Sequence, residues 1–263
     1  MIDLTKKKLF LLDMDGTIYL GDQLFDGTVD FLERVRQKNG KYLFVTNNSS
    51  RSVTAYVKRL AGMGIESTAE DFLTSVDALI WYLRGKYDDA LIYAFGTTTF
   101  KEQLIEAGFH ITDKLEEGIS LLVCGFDTEL TFQKLEDACI LLGKGVDFLA
   151  TNPDWVCPTS YGSVPDCGSV CEMLFRATGR RPKFIGKPQP EMALLSMERY
   201  GYTPEETVLV GDRIYTDIAC GVNAGIDTAS VLSGEGVVAD IEEYGIVPAE
   251  TYQNIREIFE KMG

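Results

Sequence analysis

The chain has 263 residues, 45% of them hydrophobic and 25% charged. That is room for one large domain or two ordinary ones, with cores that need no disulfide or metal staple, and it excludes a largely disordered chain. A balance of 25 Lys+Arg against 40 Asp+Glu leaves a net charge of -15, which repels nucleic acid and anionic lipid and argues against a partner of either kind.

The basic start, KKK at 6–8, resembles the head of a signal peptide, but the apolar run behind it stops at Asp13. No apolar segment reaches the roughly 18 residues that a membrane span needs, so no membrane association and a cytoplasmic location are expected. The first predicted strand, KLFLLD (8–13), runs into DMDGT, with Asp13 and Asp15 one residue apart. If strand geometry persists, both carboxylates point the same way and repel each other unless a cation, proton or ligand intervenes. Val29, Leu32 and Val35 then recur at helical spacing, and Asn39-Gly40 supplies a left-handed stop.

The second strand, KYLFVT (41–46), ends in TNNSS, followed by helices near 51–63 and 75–86. Strands at 90–95, 119–125 and 147–151 alternate with helices at 97–107, 131–143 and 168–178. The series closes with strands KFIG (183–186), TVLVGD (207–212) and TASVL (228–232) and helices at 190–200 and 215–224. Such alternation predicts an α/β fold of parallel strands joined by crossover helices. The strands ending in LLDMDG, VTNN and VGD finish in residues suited to binding, whereas ALIYAF runs into GTTTF and LLVCG into FDTELTF. Because ligands gather at strand carboxyl ends in open α/β sheets, residues 1–78 and 182–263 are grouped as a core domain and 79–181 as an inserted domain.

Asp13, at a strand end, is a competent nucleophile toward phosphorus, and Asp15 could serve as the general acid/base. A hard cation such as Mg²⁺ would relieve the crowding, and Asp212 could complete its site. DxDG also opens an EF-hand loop, but the Glu required at position 12 is Leu24 here. Thr46 and the following amides suit either an anion or a simple helix cap. Lys187, between a strand and a helix opened by Pro190, could face phosphate or hold the nucleophile's carboxylate. Asp217 could support the metal site or cap its helix. The six cysteines form no CxxC pair and His110 is the sole histidine. Free buried thiols are therefore expected, and nucleophile triads built on histidine are disfavoured.

In order and spacing, DMDGT, TNNSS, GKP and GDRIYTD resemble the motifs of the haloacid dehalogenase (HAD) superfamily. The whole chain resembles its NagD-like, p-nitrophenylphosphatase-type branch, including YLGDQLFDGT after the first motif and LATNPDWVCP before the third. That resemblance implies a Rossmann-like core with a large inserted α/β cap. It implies Asp13 as nucleophile, Asp15 as general acid/base, and Thr46, Asn47 and Lys187 as phosphate contacts. Mg²⁺ would be held by Asp13, the carbonyl of Asp15 and Asp212, with Asp217 in support.

Dehalogenases of the superfamily lack the second aspartate, so Asp15 points to hydrolysis of small phosphomonoesters, with p-nitrophenyl phosphate as an artificial substrate. Sugar phosphates and nucleoside monophosphates both suit the branch, and pyridoxal phosphate and phosphoglycolate stay open. The alternatives are a phosphate- or phosphometabolite-binding regulatory protein and a phosphomutase. By position, Thr151 through Gly168 either faces the site, offering Asp154, Trp155, Tyr161 and Asp166 to the leaving group, or is a surface loop. Cap surfaces can mediate a homodimer in this branch, and no stretch here singles itself out for that role.

Overall fold

The computed structural model describes residues 2–159, 161–234 and 238–263. The chain forms two compact units. One comprises Met1–Thr46, Val53–Leu73 and Lys187–Gly263; the other comprises Asn47–Ser52 and Thr74–Gly186.

The first unit is built on a six-stranded sheet in the order Glu250–Tyr252, Asp227–Val231, Thr207–Gly211, Leu9–Leu12, Lys41–Thr46, Phe72–Thr74. Leu9–Leu12 pairs in parallel with both of its neighbours, Leu12 standing opposite Val210 on one side and Phe44 on the other. All four of its side chains are buried, as expected of a central parallel strand covered on both faces. Successive strands run outward from Leu9–Leu12 in one direction, while Thr207–Gly211 and those after it run outward in the other. The order therefore reverses between these two strands, and the crevice at their carboxyl ends is where such sheets bind ligands.

Helix Thr28–Gln37 buries Phe31, Leu32 and Val35 against this sheet's core. The Phe31 ring packs edge-on against Phe10, with centroids 5.4 Å apart. Val29, expected on the same stripe, is instead 41% exposed. Phe31, one residue before Leu32, takes its place on the buried stripe. Asn39 adopts the expected left-handed conformation, φ 56°, just past the helix. Edge strands Phe72–Thr74 and Glu250–Tyr252 and helices Val238–Tyr244 and Ile255–Lys261 complete the unit, none of them expected from the sequence.

The second unit carries a five-stranded sheet in the order Lys183–Phe184, Asp147–Ala150, Ile119–Cys124, Leu91–Phe95, His110–Thr112, parallel throughout. Lys183–Phe184 was expected in the core domain; its ladder to Leu149 and Ala150 puts it in this unit, and the first unit resumes only at Lys187. Residues 74–78, also expected with the core, open helix Ser75–Leu83, whose capping box pairs Thr74 with Asp77. The stretch expected as a loop at 151–168 contains an antiparallel hairpin, Val156–Thr159 with Gly162–Pro165. His110 opens a strand and is exposed. Among the described residues, no helix is long and apolar enough to cross a membrane.

Candidate active site

Strand Leu9–Leu12 ends one residue before Asp13, whose backbone N–H donates to Val210 O at 2.9 Å. Asp212 directly follows the neighbouring strand Thr207–Gly211. The two carboxylates are thus delivered by adjacent strands at the point of reversal. Asp217 follows in Ile214–Ile218, a turn of π-helix, where its carboxylate accepts the Arg213 N–H at 3.1 Å. One oxygen from each of Asp13, Asp212 and Asp217 lies within 4.8 Å of the others.

Lys187 reaches into this group. Its Nζ lies 2.5 Å from Asp13 Oδ1 and 2.7 Å from Asp217 Oδ1, and it donates to Val45 O at 3.1 Å. Burial opposes the Lys187 charge, but Asp13 and Asp217 outweigh it and hold the ammonium's pKa above the usual lysine value. Burial, then the negative charge of Asp217, pushes the Asp13 carboxyl well above the ordinary aspartate range, with Lys187 pulling the other way and Asp212 adding to the rise. With all three carboxylates ionised, the single ammonium leaves two negative charges in a small, largely buried volume. A divalent cation with a preference for oxygen ligands matches that deficit.

Two glycines allow the approach. Gly16 sits at φ +90°, and a Cβ there would lie 2.5 Å from Asp212 Oδ2. A Cβ on Gly211 would stand 2.3 Å from Asp217 Cβ. Any side chain at either position would displace a carboxylate.

Asp15 departs from expectation. The strand stops at Leu12 and the chain turns, with Ile18 N–H donating to Met14 O at 2.9 Å, so the alternation that would align Asp15 with Asp13 does not persist. The Asp15 side chain is 51% exposed, accepts the Tyr19 hydroxyl at 3.3 Å, and has Arg59 at 3.9 Å. Arg59 also lies over the Tyr19 ring, 4.4 Å from its centroid, and donates to Gly21 O. The like-charge crowding expected of Asp13 with Asp15 is realised by Asp13, Asp212 and Asp217. Neither Tyr19 nor Arg59 was expected at the site. Tyr19 lies four residues past Asp15, but Arg59 comes from helix Val53–Gly62, and nothing local in the sequence marks it.

Thr46 is buried at the end of Lys41–Thr46. Asn47 belongs to the second unit, where its Nδ2 donates to Asp154 Oδ2 at 2.9 Å and its carbonyl accepts the Ser75 hydroxyl at 2.7 Å. Of the four residues expected near the leaving group, Asp154 and Asp166 are occupied inside that unit. Asn152 Nδ2 donates to both, at 3.0 and 3.1 Å, and Asp166 caps helix Cys167–Thr178 through the Cys167 N–H. Burial pushes the Asp166 carboxyl up to about 7, against the pull of that N–H. Trp155 and Tyr161, by contrast, are 58% and 82% exposed.

Comparison with known proteins converges on one family. Residues 10–110 match the model of haloacid dehalogenase-like hydrolases, and residues 184–258 match a second HAD-hydrolase-like model. An acid sugar phosphatase of Staphylococcus aureus is 32% identical over 250 residues, covering 95% of this chain and 96% of the relative. The crystal structure of a 4-nitrophenylphosphatase from Thermotoga maritima superposes with a TM-score of 0.92 at 37% identity, each chain covered in full. A glycerol phosphate phosphatase from Mycobacterium tuberculosis, crystallised with magnesium, gives a TM-score of 0.90 at 29% identity over 98% of this chain and 78% of its own.

Proposed function

This chain belongs to the haloacid dehalogenase-like hydrolases and is a phosphatase of the NagD-like group, and on that premise we propose that it hydrolyses small phosphomonoesters through a phosphoryl group carried on Asp13. The observation that carries this reading is the Lys187 ammonium, buried and shared between Asp13 and Asp217 where the strand order reverses. Lys187 holds the nucleophilic carboxylate in one orientation and offers positive charge to a phosphoryl oxygen.

An Asp13 oxygen attacks phosphorus while the ester oxygen leaves on the opposite side and takes its proton from Asp15. Water then attacks the aspartyl phosphate, giving its proton back to Asp15, and inorganic phosphate departs as Asp13 is regenerated. Asp15's partial exposure and its contact with the Tyr19 hydroxyl suit a group that must exchange protons with both an alcohol and water. Thr46, at its strand end, is assigned to the transferred phosphoryl group, as is the Asn47 segment.

The donor set fits a divalent ion. Asp13, Asp212 and the carbonyl of Asp15 would hold Mg²⁺ with Asp217 in support; the mycobacterial relative was crystallised with magnesium and also with calcium. Such an ion, when bound, supplies charge neutralisation at the phosphoryl oxygens. For substrate, the acid sugar phosphatase and the glycerol phosphate phosphatase favour phosphates of sugars and polyols over nucleoside monophosphates. Of the expected leaving-group contacts, Trp155 and Tyr161 are the two whose side chains are largely exposed. Phosphate release from p-nitrophenyl phosphate, sugar phosphates and nucleoside monophosphates, with and without chelator, tests the reading. Chelator-sensitive release that Asp13→Asn abolishes is expected; equal turnover in that variant would remove Asp13 as nucleophile.

A further inference from the structure

The second unit holds a cluster that the phosphatase chemistry leaves unused. Cys124 ends strand Ile119–Cys124, while Cys167 and Cys171 lie one turn apart on the same face of helix Cys167–Thr178. All three are buried and reduced. Cys167 Sγ is 3.9 Å from Cys124 Sγ and 3.9 Å from Cys171 Sγ, and the three sulfurs all lie within 4.8 Å of one another. For two sides of 3.9 Å and a third no longer than 4.8 Å, the in-plane point equidistant from all three sulfurs is at most about 2.5 Å from each, which lets an ion there meet all three near the Zn–S bond length of about 2.3 Å. We propose that Cys124, Cys167 and Cys171 form a three-sulfur binding site for a soft divalent cation of the zinc and cadmium class.

Binding balances without redox chemistry: three S–H protons pass to solvent, three metal–sulfur bonds form, and no electron moves. Three thiolates on a divalent ion leave one net negative charge. Cys167 occupies the first turn of a 12-residue helix, the positive end of its dipole, which favours that charge; in the reduced chain its thiol donates to Cys124 O at 3.5 Å. Phe95, Phe126, Ala138 and Leu142 pack in the same core cluster, and the Asp166 carboxylate beside Cys167 is already held by the Cys167 N–H and Asn152 Nδ2, so the three sulfurs set the selectivity. A search for CxxC spacing misses the site because one ligand comes from a strand end 43 residues before the helix pair.

The test titrates Cd²⁺ into the full-length, reduced, metal-stripped protein and follows the ultraviolet thiolate-to-cadmium charge-transfer band, to which carboxylate-bound cadmium does not contribute. One equivalent per chain is expected, with the band displaced by excess Zn²⁺. It should persist in the Cys139→Ala/Cys157→Ala/Cys220→Ala chain, which keeps only the three clustered thiols. In Cys167→Ser, checked for fold by circular dichroism, affinity should fall by more than about tenfold; Cys171→Ser is read the same way should that variant fail to fold. Absence of a band at stoichiometric Cd²⁺ in the unmodified chain, its loss in the triple variant, or its retention at full affinity in the serine variants would overturn the site.

Discussion

Both units are parallel sheets flanked by helices, yet their strand ends carry opposite chemistry. In the first, Leu9–Leu12 and Thr207–Gly211 run into Asp13 and Asp212, and a buried lysine is drawn in to offset part of their repulsion. In the second, Ile119–Cys124 and Asp147–Ala150 end in a thiol and a methyl group, followed at Thr151 and Asn152 by groups that hydrogen-bond within the unit. Architecture alone therefore does not locate the chemistry; the residue types at the strand tips do, and in the first unit those tips bring together carboxylates that repel one another.

That contrast can be broken by substitution. Asp13→Asn should reduce phosphate release to background while circular dichroism and thermal unfolding stay those of a folded protein; activity in this variant would erase the distinction. Lys187→Met should cost about 10³-fold or more in kcat and, because it leaves buried carboxylates uncompensated, about 3–5 kcal/mol of stability in denaturant unfolding without added metal. Asp15→Asn should lower kcat by about 10²–10⁴-fold, least for leaving groups as acidic as p-nitrophenol, which depart without a proton. In the second unit the expected signature is reversed. Phe95→Ala, deep in that core, should lose about 3–5 kcal/mol of stability while the folded fraction turns over p-nitrophenyl phosphate at the original kcat. The smallest effect is assigned to Arg59→Ala. It removes a partner of Asp15 and Tyr19, and a change in kcat of about tenfold or less is expected, seen best as a shift in the pH profile.

The central strands were legible in the sequence because fully buried parallel strands read as unbroken apolar runs, as LFLL and VLV do. The edges were not. Phe72–Thr74, His110–Thr112 and Glu250–Tyr252 are three residues each, too short for any period to show. The hairpin at 156–165 lies in a stretch with prolines at 153, 158 and 165, which by itself reads as loop.

At the site, Asp13, Lys187, Asp212 and Asp217 could be picked out because each stands within a few residues of a strand end, and the structure brings them together. Asp15 was named too, but its alignment with Asp13 depended on strand geometry persisting, and the turn begins immediately after Asp13. Asp154 and Asp166 were candidate leaving-group contacts by position alone, in a stretch that read equally well as a surface loop. Their partners, Asn47 and Asn152, reveal an internal network that no local pattern encodes. Arg59 and the three clustered thiols are products of tertiary packing in the same sense.

The most direct measurement is mass spectrometry of peptides from protein mixed with p-nitrophenyl phosphate and quenched in acid during steady turnover. A phosphoryl group on the peptide containing Asp13, formed only with a divalent cation and absent from Asp13→Asn, is the expected result. Continued turnover with that peptide unmodified, or with the label on another residue, would contradict a covalent role for the carboxylate that Lys187 holds.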